Sequence, residues 1–214
     1  MGFARRWKSA LLIAVCLSGI VAMTPLRAVP LRWAGHALIR VDPLVRADIA
    51  IVPEWTGAAG ALEVADLIQA GMVARVAVLA SPVMPEEREF RRRGIRYDDE
   101  AAHLMQQMVS LGVMKPERLA TPAAGTESEG KELADWCQAN PVREMLIISP
   151  PDHSRRLRRV LRRSMGQCTA HVSVRTTRYA NFEPDHWFET RWGLRIGLIE
   201  LQKLLLDVAR HPFS

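Results

Sequence analysis

A chain of 214 residues with 49% hydrophobic and 24% charged residues is long enough for one α/β domain plus an appendage, and too apolar to be an intrinsically disordered polypeptide. Its 29 Lys and Arg residues against 23 Asp and Glu leave a net charge of +6, carried mostly by arginine. That balance suits nucleic acid, an anionic membrane surface or an anionic small ligand, or else arginines spread over solvated faces.

The N-terminus carries a targeting signal. Arg5, Arg6 and Lys8 precede an uncharged, largely apolar run over 9–26, near the short end of what crosses a hydrocarbon core of ~30 Å. Basic residues before such a run keep the N-terminus in the cytoplasm. A cleaved signal peptide is the rival, but cleavage needs small residues at −1 and −3. Ala22 would pair with Ile20 and Ala28 with Leu26, both poor fits. The expectation is a cytoplasmic tail over 1–8, an uncleaved transmembrane anchor over 9–26, and a domain on the periplasmic side of the inner membrane.

The segment 27–46, with Pro30 and Pro43, is expected to be a connector hugging that domain. An α/β rhythm then occupies 47–210. Nearly continuous apolar runs at Ala47–Val52, Arg75–Ala80 and Glu144–Ser149 predict strands buried on both faces, with a short strand at Glu117–Thr121 and a last strand at His171–Thr176, where Val172 and Val174 alternate. Between them, Pro53–Gly60 reads as a Gly-containing loop, Leu62–Ala70 as a helix stopped by Gly71, and Ser81–Tyr97 as a charged surface insertion. Asp98 caps a helix to about Leu111, and Thr126 and Glu129 have the spacing of a capping box opening a helix to about Ala139. Asp152–Ser164 and Gly193–Val208 are the remaining helices, the last with Leu194, Leu198, Leu201 and Leu205 at helical spacing. Strands alternating with helices imply a Rossmann-like parallel sheet with helices on both faces. No GxGxxG or Walker motif supports classical dinucleotide or P-loop chemistry.

Chemistry concentrates at strand ends. Met145-Leu-Ile-Ile-Ser-Pro-Pro-Asp-His-Ser-Arg-Arg156 reads as a buried strand, a turn and a helix start bearing His153 and Arg156. A helix N-terminus favours an anion, Arg156 can grip phosphate or carboxylate through paired N–H bonds, and His153 can transfer protons near neutral pH. Ser149 and Asp152 flank this turn; Asp152 could equally be a plain helix cap. Thr126, Glu127 and Glu129 open a helix that a parallel sheet sends to the same edge. Glu54, Trp55 and Thr56 leave the first strand there, with Gly57 and Gly60 permitting close backbone approach to a ligand. Glu54 is a candidate base or cation ligand beside His153.

The arginines between Arg155 and Arg163 make a strongly basic helix, a solvated face or a contact for lipid headgroups. Nothing interleaves them with aromatic residues as single-stranded nucleic acid binding would require, so a nucleic-acid partner is not expected. Trp187 and Trp192, before the last helix, suit core packing or a membrane interface. No Cys/His cluster has zinc spacing, so no metal centre is expected, and no cofactor is specified. Cys16 falls in the anchor; Cys137 and Cys168 are either a disulfide of an exported domain or two separate buried thiols.

The order of these segments resembles the SanA/ElyC/YdcF family. The likeness runs from Ala37-Leu-Ile-Arg-Val-Asp-Pro43 and Ala47-Asp-Ile-Ala-Ile-Val52, through Leu111-Gly-Val113 and Thr126, to Ile147–Arg156 and the closing Glu200-Leu-Gln-Lys203. The resemblance implies a Rossmann-like domain and, for the membrane-anchored branch, a role in peptidoglycan assembly, lipid-carrier metabolism and the envelope barrier; the YdcF branch is linked to S-adenosylmethionine binding. Two elements depart from the family pattern. Pro53-Glu-Trp-Thr-Gly57 stands where a Gly-Gly pair and a nearby Arg are usual, and Glu129 stands where an Asn is usual. The expected ligand is therefore an anionic small molecule or lipid-linked precursor at the inner membrane; a non-catalytic regulatory domain and an S-adenosylmethionine or nucleotide binder are the alternatives.

Overall fold

The computed structural model describes residues 28–214. The tail 1–8 and the anchor expected over 9–26 lie outside the described residues. Among those described, no helix is long and apolar enough to cross a membrane.

The chain runs α1 (Ala28–Ala37), β1 (Ala47–Pro53), α2 (Gly57–Gln69), β2 (Val73–Ala80), α3 (Pro85–Arg92), α4 (Glu100–Ser110), β3 (Glu117–Ala120), α5 (Thr126–Ala139), β4 (Glu144–Ser149), α6 (Pro151–Ser164), β5 (His171–Thr176) and α7 (Arg191–Arg210). The five strands form one sheet in the order β3-β2-β1-β4-β5, every pair parallel. Alternating residues feed two cores. Ala50, Val52, Val76, Val78, Leu146 and Ile148 pack against α2 and α4. Ile49, Ile51, Ala77, Leu79, Met145 and Ile147 pack against α5 and α6. Burial on both faces is why these strands are continuous apolar runs.

The order of winding reverses between β1 and β4. Beyond the carboxyl ends of these two strands the following loops part in opposite directions and leave a crevice.

Several sequence expectations need correction. The connector divides in two. Pro30 is tolerated in the first turn of α1, where its missing N–H costs no helical hydrogen bond. Only the stretch after α1 hugs the sheet: Asp42 exchanges hydrogen bonds with Val174 of the edge strand β5, and its carboxylate pairs with Arg158. The expected loop over 53–60 is a 3-10 turn (Glu54–Thr56) running straight into α2. A Cβ on Gly60 would stand 2.1 Å from Oγ1 of Thr56, so this glycine serves helix packing and not ligand approach. The insertion over 81–97 contains α3, and Asp99, not Asp98, caps α4 by accepting from the amide of Ala102.

A third, smaller core joins α1 to α7. Leu38, Phe182, Trp187 and Leu204 are buried together, with Leu31, Ala34 and Leu201 at their margin. The Trp187 indole donates to the carbonyl of Leu31 at 2.7 Å. A Cβ on Gly197 would lie 2.2 Å from Cε3 of Trp187, and one on Gly35 2.7 Å from its Cδ1. Both helices therefore touch the ring with bare backbone. This contact sets the rotation of α7: Gly193, Gly197, Glu200, Leu204 and Asp207 are buried, while Leu194, Leu198 and Leu205 are exposed.

Most arginines of the basic helix α6 are tied into the protein and not spread over a solvated face; Arg162 is exposed. Arg156 pairs with Glu200, Arg158 with Asp42, Arg159 with Asp207, and Arg163 with Asp207 and Glu127. These arginines form the seam that binds α6 to α7 and to the connector. Cys137 at the end of α5 and Cys168 before β5 are joined in a disulfide, with 5.6 Å between their Cα atoms.

Candidate functional site

A cleft of about 600 Å³ opens at the crevice. All five strand exits reach it: Trp55 and Thr56 after β1, Ser81 after β2, Gly125, Thr126 and Glu129 after β3, Asp152, His153 and Arg156 after β4, and Tyr179 and Asn181 after β5. Helix α7 closes one wall with Trp192, Ile196, Glu200 and Lys203. The last strand exit is held by Glu63, buried in α2, which accepts from Arg175 Nε at 2.7 Å and from the amide of Arg178 at 3.1 Å.

The centre is a charged knot around Glu200. His153 Nδ1 lies 3.0 Å from Glu200 Oε2, and Arg156 Nε lies 3.0 Å from the same oxygen. Lys203 Nζ is 2.7 Å from Oε1. Arg156 also donates to the hydroxyl of Thr126 at 3.0 Å, and its Nη2 is 2.9 Å from His153 Nδ1. The two neighbours make opposite demands on Nδ1, since a carboxylate can only accept and a guanidinium can only donate. The proton is assigned to Nδ1, donating to the ionised Glu200, and Arg156 Nη2 is then a close neighbour that makes no hydrogen bond to the ring. Nε2 is then unprotonated and has no hydrogen-bond partner among the described residues, yet it is not among the occluded polar atoms. Trp55 meets the imidazole edge-on, ring centres 4.7 Å apart.

The surroundings set the protonation states. Burial pushes the His153 pKa below its ordinary value; the Glu200 hydrogen bond opposes that and the Arg156 charge adds to it. His153 is therefore a neutral imidazole. Burial also disfavours the Glu200 carboxylate, but hydrogen bonds to His153, Lys203 and Arg156 together outweigh it and hold Glu200 ionised. Asp152 is pushed the other way. Burial and the nearby Glu200 charge raise it to about 6, against its own amide and Lys203. Glu129 is raised as well, first by burial; Trp55 Nε1 donates to its Oε1 at 2.9 Å, while Oε2 is buried without a partner.

The cleft thus collects seven of the ten residues singled out in the sequence: His153, Arg156, Asp152, Thr126, Glu129, Trp55 and Thr56. Three stand elsewhere. Glu54 does not line the cleft, because the 3-10 turn that carries it presents Trp55 and Thr56 instead. Ser149 is wholly buried, its hydroxyl turned to the carbonyl of Pro150. Glu127 points to the α6–α7 seam, where it meets Arg163.

Roles change too. The capping box does not form: Gly125 is the N-cap of α5, Thr126 receives Arg156 and Glu129 receives Trp55. The first amides of α5 are left without a side-chain acceptor beside the cleft. At α6, Asp152 bonds its own amide. An anion is therefore better served by the start of α5 than by the start of α6. Arg156, committed to Glu200 and Thr126, holds the knot together; Lys203, half exposed, is the cation nearest to solvent.

Glu200 and Lys203 were legible only as part of the closing Glu200-Leu-Gln-Lys203 motif, and nothing local marked them as facing His153. Glu127, Asp207 and His211 also bring potential ligand atoms within 4.8 Å of one another, but Asp207 is already paired with two arginines.

Fold and site together define a class, a Rossmann-like α/β domain with an imidazole–carboxylate pair at its switch-point crevice. Comparison with protein-family models, with curated proteins and with solved structures finds no match to the chain.

Proposed function

We propose that this protein is a membrane-tethered envelope factor whose cleft performs acid–base chemistry on an anionic, phosphorylated precursor of peptidoglycan or of its lipid carrier. One observation carries the chemical part: a neutral His153 that lines the cleft, oriented by Glu200 at Nδ1, with Nε2 unpaired among the described residues. That arrangement suits a general base, as the buried carboxylate orients the ring and stabilises the imidazolium that forms. Asp152, titrating at about 6, would return the proton as the acid. Lys203 and the uncapped start of α5 would take the phosphate. The envelope setting rests on the apolar run over 9–26 and on the likeness to the SanA/ElyC/YdcF family, and a disulfide between Cys137 and Cys168 suits an oxidising compartment.

The test is His153→Ala in the full chain, followed for turnover of lipid-linked and nucleotide-linked peptidoglycan precursors and for envelope integrity in cells. Loss of turnover and of barrier function in a variant that still folds is expected. An unaltered envelope would remove the catalytic reading.

A second reading, a non-catalytic regulator that only binds such a ligand, is favoured by one fact: Arg156 is already engaged by Glu200 and Thr126. Under that reading, changes in the segment 82–96 hurt function more than His153→Ala does.

A further inference from the structure

Helix α7 is amphipathic in the reverse sense for a water-facing helix. Its two acidic residues, Glu200 and Asp207, are buried and paired with arginines of α6. Its outer side carries Leu194, Leu198, Ile199, Leu205, Leu206 and Val208, each between 39% and 69% exposed. The charges among them, Arg191, Arg195, Lys203 and Arg210, are all basic and exposed. Water-exposed helices normally show the opposite arrangement, and exposed large apolar side chains gathered on one helix side mark an interaction site.

We propose that the outer side of α7 docks on the surface of an anionic lipid bilayer. Exposed leucines interleaved with basic residues, with no acid on that side, match an interfacial helix. Cationic charge suits anionic headgroups and disfavours a second, equally cationic copy of the same face. Proximity supplies the rest. The apolar run over 9–26 ends next to Ala28, where α1 begins, and α1 is fixed to α7 through Trp187. Trp33 of α1 is 76% exposed and Val29 51%, so the helix that follows the run in the sequence also presents apolar side chains at the surface. The inference rests on the reading of 9–26 as an anchor. Trp192, Ile196 and Lys203 of α7 also line the cleft, so the docked helix and the cleft wall are one element.

The experiment uses the full chain with Cys16→Ser, reconstituted in vesicles of phosphatidylethanolamine and phosphatidylglycerol. Nitroxide labels are placed at Leu198→Cys, at Leu205→Cys and, as a control, at Val109→Cys on the exposed side of α4. Relaxation by oxygen is compared with relaxation by a water-soluble nickel chelate. The oxygen-to-nickel ratio should be several-fold higher at 198 and 205 than at 109, and should fall when the anionic lipid is replaced by a zwitterionic one. If the protein floats with the vesicles but both labels read as aqueous, docking is overturned while the anchor stands. If it does not float, anchor and docking fall together. Dipolar broadening between labels would reveal a second copy, and shielding from both relaxants would reveal coverage by the chain's own segment; either result overturns the proposal.

Discussion

Nδ1 of His153, in the first turn of α6, stands 3.0 Å from a carboxylate oxygen of Glu200, which lies 47 residues later in the middle of α7. Neither residue could serve the cleft alone: without Glu200 the imidazole tautomer is not fixed, and without α6 the buried Glu200 has lost two of its three partners.

Glu200→Gln should therefore weaken both fold and site. It leaves the Arg156 guanidinium nearly buried without a counter-charge, a change that costs about 3 kcal/mol for such pairs. It also withdraws the carboxylate that holds the His153 pKa up. Chemical denaturation should show the loss, and an NMR titration of the imidazole should move to still lower pH. An unmoved titration would mean that the pair does not exist in solution.

Asp152→Asn should gain stability and lose function. The rise of Asp152 from 3.8 to about 6 corresponds to about 3 kcal/mol of destabilisation above pH 6, at about 1.4 kcal/mol per pH unit. The folded carboxyl binds its proton first as pH falls, so this penalty disappears between pH 6 and 3.8. His153 acts with the opposite sign. Its folded pKa lies below the unfolded 6.5, so its contribution is complete above that value and is lost as pH falls beneath it. Thermal unfolding at pH 7 and at pH 3.5 separates the two effects: the advantage of Asp152→Asn should be present at the first and absent at the second.

Reduction of the Cys137–Cys168 disulfide, 31 residues apart, should cost about 3–4 kcal/mol by release of loop entropy in the unfolded chain. For a domain of this size that is a fall in Tm of about 10 °C. A thermal scan with and without dithiothreitol gives the answer, and equal midpoints would count against the bond.

Gly197→Ala should damage the cleft from a distance. The new methyl meets the Trp187 ring at 2.2 Å, and that ring is wedged between α1 and α7. Displacement of α7 carries Glu200 away from His153. Loss of Tm should come with loss of ligand response, whereas Leu198→Ala, on the exposed side of the same helix, should leave Tm unchanged.

Three strands were legible because burial on both faces writes itself as an apolar run; β1, β2 and β4 lie where the runs lie, and β5 follows the alternation of Val172 and Val174. The turn after β4 was legible because strand-to-helix turns at a parallel sheet's rim carry ligands. The phase of α7 was not. Leu194, Leu198, Leu201 and Leu205 have the spacing of a buried stripe, yet packing against Trp187 turns Gly197 and Glu200 inward. The Thr126–Glu129 spacing was equally misleading, since both side chains found stronger partners in Arg156 and Trp55.

By itself the sequence determined the elements, their alternation and hence a parallel sheet, because these follow from local periodicity and from which residues must leave water. Only the tertiary structure decided which side chains meet. Glu200 joins His153, Glu54 turns away, and Thr126 gives up its cap, because partners distant in the chain compete for each polar group and the choice depends on how whole helices are rotated against the sheet.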